Sequence, residues 1–300
     1  MTETQLTVRD VPAEDVAEEA LSGPERRDDR ISVVKPASGR PTLDLRELWA
    51  YRELLVIFVW RDVKVRYKQT FLGITWAVLQ PLVTMLVYTL VFGRYAEFPS
   101  QNLAYPIFTY VALLPWGYFA ASLSGSSGSI VGNRAVMTKV YFPRVLLPLA
   151  AVVTPAVDFT LAFLVGFGLM AYFDVWPSIT LLLTPLFLLL AAVAAVGVGF
   201  FLSAVNVRYR DVPYLIPFFL SIGPFLSGVM YPIADLPEHW QWVLALNPMT
   251  GVIAGFRWAL LDAPAPDLGQ LAVGIAVAVA VFVVGLAYFK RSEPRFADTI

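Results

Sequence analysis

The sequence predicts an all-α membrane protein with six transmembrane helices, an N-terminal amphipathic interface helix, and short re-entrant helices between spans five and six. Three observations predict this fold class. The chain of 300 residues is 58% hydrophobic and only 15% charged, whereas soluble domains carry about 25% charged residues. Six stretches are apolar over about the 20 residues that a spanning helix needs. Basic residues concentrate on one side of these stretches, which is typical of the cytoplasmic side.

The six predicted spans are almost free of charge, since Asp158 in the third is their one acidic or basic residue. They cover residues 73–92, 105–130, 145–173, 179–205, 212–231 and 268–289. The fifth is interrupted by three prolines. We expect the small residues Gly73, Gly197 and Gly199 to let neighbouring helices approach closely.

The positions of Lys and Arg predict that both termini are cytoplasmic. In that orientation, Arg94 and Arg257 are the only basic residues after residue 40 that fall in outside segments. We therefore predict a multi-pass protein of the plasma (inner) membrane, whose transmembrane domain is 43–300. Residues 1–42 are rich in Asp, Glu, Arg and Pro and contain no long apolar run. That composition predicts a disordered cytoplasmic tail.

Residues 43–69 predict an amphipathic helix that lies along the inner membrane surface. Its apolar residues recur mostly at helical spacing: Leu45, Leu48, Trp49, Leu55, Val59, Val63 and Tyr67. The basic end, with Arg61, Lys64 and Arg66, suits anionic lipid headgroups. A plain positive-inside anchor would explain the same charges, and the two interpretations are compatible.

Residues 232–261 allow two interpretations. Two apolar pieces, 240–246 and 249–261, are each too short to span and are separated by Asn247 and Pro248. In the first interpretation they are re-entrant helices, which protein must shield or which line a wet cavity. In the second they are interfacial helices anchored by tryptophans. The candidate anchors are Trp240, Trp242 and Trp258.

The inner loop between spans two and three predicts a short helix from Asn133 to Tyr141, capped by the Asn133 side chain and ending before Pro143. Such an exposed helix could dock in a groove on a partner. A simple connector with positive-inside charges is the alternative.

Several kinds of chemistry are missing from the sequence. It has no Gly-x-x-x-x-Gly-Lys-Ser/Thr phosphate loop, no cysteine and a single histidine, His239. We therefore expect no ATP binding by this chain alone, no catalytic residues, no metal and no cofactor. The net charge of −1 provides no basic field for nucleic acid.

Asp158 is the candidate intramembrane charge. A carboxylate at membrane depth is costly and is a candidate for function by default. The alternative is a structural role, in which Asp158 bonds to backbone disturbed by Pro155 or is protonated against Ser or Thr. No Lys or His lies within the spans as its partner.

Aromatic residues are dense near the outer half of spans one and two. Sugar rings can stack on aromatic faces, so this density favours a glycan path, while an interfacial belt explains each residue singly. The cluster contains Tyr88, Phe92, Tyr95, Tyr105, Tyr110, Trp116, Tyr118 and Phe119.

Several motifs resemble the permeases of ABC exporters for polysaccharide and polyol-phosphate polymers, such as O-antigen and teichoic acid. The resemblance covers about 43–300. The motifs are 60–70 (WRDVKVRYKQT), 72–81 with Trp76, 133–144 (NRAVMTKVYFPR), 206–212 (NVRYRDV), 227–232 (SGVMYP), 247–249 (NPM) and 293–298.

This resemblance implies a homodimer that works with two copies of a separate ATPase, which carries the ATP and Mg²⁺. Spans one, two and five would flank a channel for a lipid-linked polymer moving outward among membrane lipids, and 232–261 would form a gate. The implied ATPase-coupling residues are Asn133, Arg134, Lys139, Tyr141, Arg61, Lys64 and Arg66. The implied glycan channel and gate residues are Trp76, Tyr88, Tyr110, Trp116, Tyr118, Phe119, Tyr231 and Trp258.

Three other functions remain open at this point. An ABC permease for a drug or lipid would share the fold. A secondary transporter would usually show ion-coupling charges and an inverted repeat, and a membrane glycosyltransferase or phosphatase would need an acidic or His cluster.

Overall fold

The computed structural model describes residues 45–68, 73–209 and 211–296. The predicted tail 1–42 lies outside these residues. The described part is all-helical, without a strand. Its α-helices are α1 (Leu45–Ala50), α2 (Arg52–Lys68), α3 (Thr75–Tyr88), α4 (Tyr105–Gly132), α5 (Arg134–Met137), α6 (Leu146–Val153), α7 (Ala156–Tyr172), α8 (Thr184–Arg208), α9 (Val212–Leu226), α10 (Glu238–Ala245), α11 (Pro248–Leu261) and α12 (Leu268–Ser292).

Five helical stretches in the described residues are long and apolar enough to cross a membrane. They are Thr75–Tyr95, Tyr105–Gly132, Leu146–Tyr172, Ile179–Arg208 and Leu268–Arg295. The first continues α3 through the π-helical turn Thr89–Tyr95. The third is α6 followed by α7. The two are interrupted at Pro155, whose backbone nitrogen carries no hydrogen and cannot donate a hydrogen bond. These five agree with predicted spans one, two, three, four and six.

The fifth predicted span contains a shorter helix than expected. Helix α9 has 15 residues and ends at Leu226, five residues before the predicted end at Tyr231. The chain turns there because Gly228 adopts a φ of +71°, a conformation that residues with a Cβ rarely adopt.

Helix α4 is the centre of the bundle. It packs against α3, α6, α7, α8, α9 and α11. Its residues Ile107, Phe108, Tyr110 and Val111 are fully buried. A hydrophobic helix that is covered on all sides is typical of the core of a large helical domain.

Close glycine packing joins α8 to its neighbours. A Cβ on Gly197 would lie 2.6 Å from backbone atoms of Phe282 in α12, and one on Gly199 would overlap Ser126 of α4. The expectation of close approach is confirmed for these two glycines. It is wrong for Gly73, which has no neighbour within 4 Å of a Cβ and instead makes a turn with a φ of +49°.

The interface helix is divided and only partly amphipathic. Helices α1 and α2 are separated by a turn at Tyr51, where one helix over 43–69 was predicted. Phe58 and Val63 are buried, and α2 packs against α6. Ile57 and Trp60 are exposed on the helix. Apolar residues therefore occur on the side facing the bundle and also on the outer surface.

The inner-loop helix is also shorter than predicted. Helix α5 has four residues and stops at Met137, so Lys139 follows it in a turn and Tyr141 lies beyond that turn, outside any helix. The predicted cap at Asn133 is wrong, because its Nδ2 donates to the carbonyl of Ser129, 2.8 Å away, at the end of α4. An amide that follows a helix directly can satisfy one of the unpaired carbonyls of the last turn.

Helices α10 and α11 form a broken pair with a bend of 105°. Asn247 caps α11 by accepting from the backbone N–H of Met249, 3.1 Å away. Helix α11 is largely buried and packs against α4 and α8, which does not fit a helix lying on the membrane surface. The bent pair is therefore a broken span or a re-entrant loop. Trp240 and Trp242 of α10 are exposed.

Candidate functional site

A groove of about 590 Å³ opens between α3, α4, α7 and α9, and we call it the lateral groove. This volume is typical of ligand sites. The polar and aromatic side chains along it are Gln80, Thr84 and Tyr88 from α3, Trp116, Tyr118 and Ser124 from α4, Asp158 and Phe159 from α7, and Ser221 from α9. Apolar residues such as Leu113, Leu114 and Leu220 form the rest of the lining, so the groove offers both polar and apolar contacts.

The aromatic wall of the groove is fixed by packing. The rings of Trp116 and Phe119 lie 5.7 Å apart between centroids, and those of Tyr118 and Phe159 lie 6.0 Å apart. A Cβ on Gly223 of α9 would overlap the Trp116 ring. The glycine therefore allows α9 to lie directly against the indole.

The charged end of the groove joins two distant parts of the chain. The Asp158 carboxylate accepts from the Arg66 guanidinium and from the Tyr67 hydroxyl of α2. The Asp158 and Arg66 side chains are 26% and 39% exposed, so the pair is partly shielded. This ion pair connects the interface helix α2 to the wall of the lateral groove.

The structure therefore adds a partner that the sequence analysis missed. The partner of Asp158 is Arg66, an arginine from outside the spans. The Asp158 carboxylate accepts hydrogen bonds from Arg66 and Tyr67. Among the described residues it makes no hydrogen bond to the backbone at Pro155 or to a Ser or Thr.

The predicted channel and gate residues separate into two groups. Tyr88, Trp116 and Tyr118 line the lateral groove together with Asp158, and Phe119 packs against Trp116. These residues come from three helices, so the fold brings them together.

The remaining four predicted residues lie elsewhere. Tyr110 is fully buried, and its hydroxyl donates to the carbonyl of Ala162 at 2.8 Å, so it is a core residue in this structure. Trp76 is exposed at the start of α3, and Trp258 packs against Phe187 of α8. The hydroxyl of Tyr231, beyond the end of α9, donates to the carbonyl of Phe225 at 2.6 Å.

The predicted coupling residues lie on α2 and the loop around α5. Arg134, Lys139 and Tyr141 are exposed, and Asn133 is half-buried. Arg61 bonds to Asp62 at 2.9 Å, while the Lys64 ammonium lies 5.3 Å from the Trp60 ring centroid.

An aromatic contact joins the two coupling segments. The rings of Phe58 in α2 and Phe142 in the loop after α5 lie 5.3 Å apart, and both side chains are buried. Arg144 of this loop donates to the carbonyl of Glu293 near the end of the described chain. The loop, α2 and the segment after α12 therefore form one cluster at the same end of the bundle.

No group of three His, Asp or Glu side chains suited to a metal ion occurs among the described residues.

Sequence comparison identifies the relatives of this chain. The sequence profile of ABC-2 type transporters matches residues 53–261. The O-antigen export system permease protein RfbA of Myxococcus xanthus is 32% identical over 258 residues, which cover 85% of this chain and 98% of that protein.

More distant relatives are similar over most of their length. An O-antigen export system permease protein RfbA of Klebsiella pneumoniae is 26% identical, covering 83% of this chain and 95% of that protein. The polysialic acid transport protein KpsM of Escherichia coli is 22% identical, covering 78% of this chain and 91% of that protein. The profile match and the similarity to the Myxococcus protein together show that this chain belongs to the ABC-2 type transporter family.

Proposed function

We propose that this chain is the permease subunit of an ABC exporter that moves a lipid-linked polysaccharide outward across the plasma membrane. The observation that carries the proposal is the lateral groove, where hydroxyl, amide and aromatic side chains from four helices line one path. A glycan that leaves water loses hydrogen bonds from its hydroxyls, and a polar lining reduces that cost. The names of the relatives point to the same substrate class.

The work of transport would come from a separate ATPase subunit. The chain contains no phosphate loop, and the relatives are named as permeases of export systems. The exposed residues Arg134, Lys139 and Tyr141, next to the buried Phe58–Phe142 contact, provide a surface on which the ATPase would act. Movement of this cluster would reach the groove through Arg66 and Asp158.

A second copy of the chain would complete the path. Helices α3 and α9 flank the lateral groove, and both expose large apolar residues. Exposed side chains include Leu86 and Val87 on α3 and Phe218 and Phe219 on α9. Pairing of two copies along these helices would cover this surface and close the groove from the side.

The other candidate functions find less support in the groove. A drug or lipid permease would use the apolar residues of the groove, such as Leu113 and Leu220, but would not need the amide and hydroxyl groups of Gln80, Ser124 and Ser221. A secondary transporter needs a carboxylate that is open to a coupling ion, whereas Asp158 is bonded to Arg66.

Deleting the chain in its native cell tests the proposal. The surface polysaccharide should disappear, and its lipid-linked form should accumulate on the cytoplasmic side. Expression of the intact chain should restore the surface polymer, whereas a chain with Trp116→Ala and Tyr118→Ala should restore it poorly at equal abundance. Normal surface polysaccharide in the deletion strain would contradict the proposal.

A further inference from the structure

Arg257 of α11 is a buried arginine with an unusual set of partners. Arg257 is only 5% exposed. In the part of the chain that the structure describes, its guanidinium forms no ion pair with an acidic residue. Its Nε donates to the carbonyl of Phe108 at 3.3 Å. Its Nη1 and Nη2 donate to the carbonyls of Gly228 and Val229, each at 2.8 Å.

The guanidinium is also stacked on an aromatic ring. Its central carbon lies 3.5 Å from the ring centroid of Phe108, which is close for a cation–π contact. Burying a charge is costly unless protein groups replace its water. Here three carbonyls and one ring replace it, and a planar arginine can bond to all of them from one position.

These contacts bind the short turn 227–230, which follows α9, to two other helices. Arg257 belongs to α11 and Phe108 to the first turn of α4. Two more side chains hold the same turn: the Tyr105 hydroxyl donates to the carbonyl of Met230 at 2.8 Å, and Asn247 Nδ2 donates to Ser227 Oγ at 2.8 Å. All four residues of the turn are buried.

The turn is connected directly to the lateral groove. The backbone N–H of Val229 donates to the carbonyl of Pro224 at 3.1 Å. Pro224, Ser221 and Leu220 of α9 line the groove. The position of the turn therefore sets where this end of α9 lies against Trp116 of α4.

We propose that Arg257 is a positioning residue that clasps the 227–230 turn and holds this end of the lateral groove closed. This proposal rests on the proposed export function in one respect, namely that the lateral groove is the path of the substrate. Loss of the clasp frees the end of α9 to move away from α4. An open turn would expose residues that the clasped structure buries, beginning with Ser227.

Thiol labelling tests the clasp without any substrate or nucleotide. The natural chain has no cysteine, so Ser227→Cys introduces a single thiol at a fully buried position. The full chain in lipid nanodiscs, where both faces are accessible, is treated with a water-soluble maleimide. Labelling should be slow in this variant.

Adding Arg257→Met should raise the labelling rate of Ser227→Cys by at least about tenfold, because lost hydrogen bonds to a buried charge increase local opening. Adding Arg257→Lys should give an intermediate rise, because an ammonium lacks the planar fork. Arg94→Met is the matched control: Arg94 is exposed, and its loss should leave the rate unchanged.

Two results would overturn the proposal. One is an unchanged labelling rate in Arg257→Met. The other concerns Ser203→Cys, a thiol at a fully buried site in α8. If Arg257→Met raises its labelling rate as much as that of Ser227→Cys, Arg257 supports the whole fold and not the turn. Since the assay contains no polymer, its failure is distinguishable from failure of the proposed export function.

Discussion

The ion pair between Asp158 and Arg66 provides the most informative perturbation, because it connects the interface helix to the groove. Exposed ion pairs contribute about 0.2–1 kcal/mol, and breaking a fully buried one costs about 3–5 kcal/mol. The two side chains here are 26% and 39% exposed, so the value lies between these limits. We expect about 1–2 kcal/mol, which corresponds to about a five- to thirtyfold change in an equilibrium or a rate.

The measured quantity is the amount of polysaccharide exported per ATP hydrolysed by the reconstituted permease–ATPase complex. Asp158→Ala should lower this ratio by about five- to thirtyfold while ATP hydrolysis continues. The reversed pair, Arg66→Asp with Asp158→Arg, should recover part of the loss.

Reversing Arg52 and Glu53 provides the matched control. This pair lies at the start of α2 and is 53% and 86% exposed. Arg52 also contacts Trp49 of the adjacent α1, but the pair does not reach the wall of the lateral groove. It should leave the ratio unchanged. The reasoning is refuted if Asp158→Ala lowers export and ATP hydrolysis by the same factor, or if the reversed Asp158–Arg66 pair exports less than either single variant.

Three further predictions concern the groove, the coupling surface and the helix packing. Trp116→Ala should slow export about two- to tenfold through lost aromatic contact, with a smaller effect on ATP hydrolysis, and equal loss of both would indicate misfolding. Lys139→Glu should reduce ATP-driven export without changing membrane insertion, as measured by protease protection; unchanged export would remove its coupling role. Gly197→Val should lower the thermal unfolding temperature, since a Cβ would meet the Phe282 backbone at 2.6 Å and overpacking costs about 1–3 kcal/mol. Gly168→Ala, with nothing within 4 Å, should not lower it.

Most of the helical architecture could be predicted from the sequence because the bilayer imposes a length. Five predicted spans correspond to apolar helices that are long enough to cross. Local turns were harder to predict, since they depend on backbone conformation. The fifth predicted span loses its last residues to the turn at Gly228, and Asn133 bonds back to α4 where a cap was predicted.

The groove was less predictable than the spans. Asp158 could be selected because charge inside a span is rare, but Arg66 lies 92 residues away on a helix outside the spans, and nothing in the sequence pairs them. The density of aromatic residues predicted that both Tyr110 and Trp116 line the glycan channel. On one α-helix these residues are separated by about 240°, so they contact different neighbours, and only the packed structure shows which one faces the groove.

The central claim is that this chain works as the permease of an ATP-driven exporter. Its most direct test is purification of the tagged chain from its native cell in mild detergent. The account predicts an ATPase with a phosphate loop, present at roughly one copy per permease. A folded, monodisperse chain that purifies without any ATPase would contradict it and favour a secondary transporter.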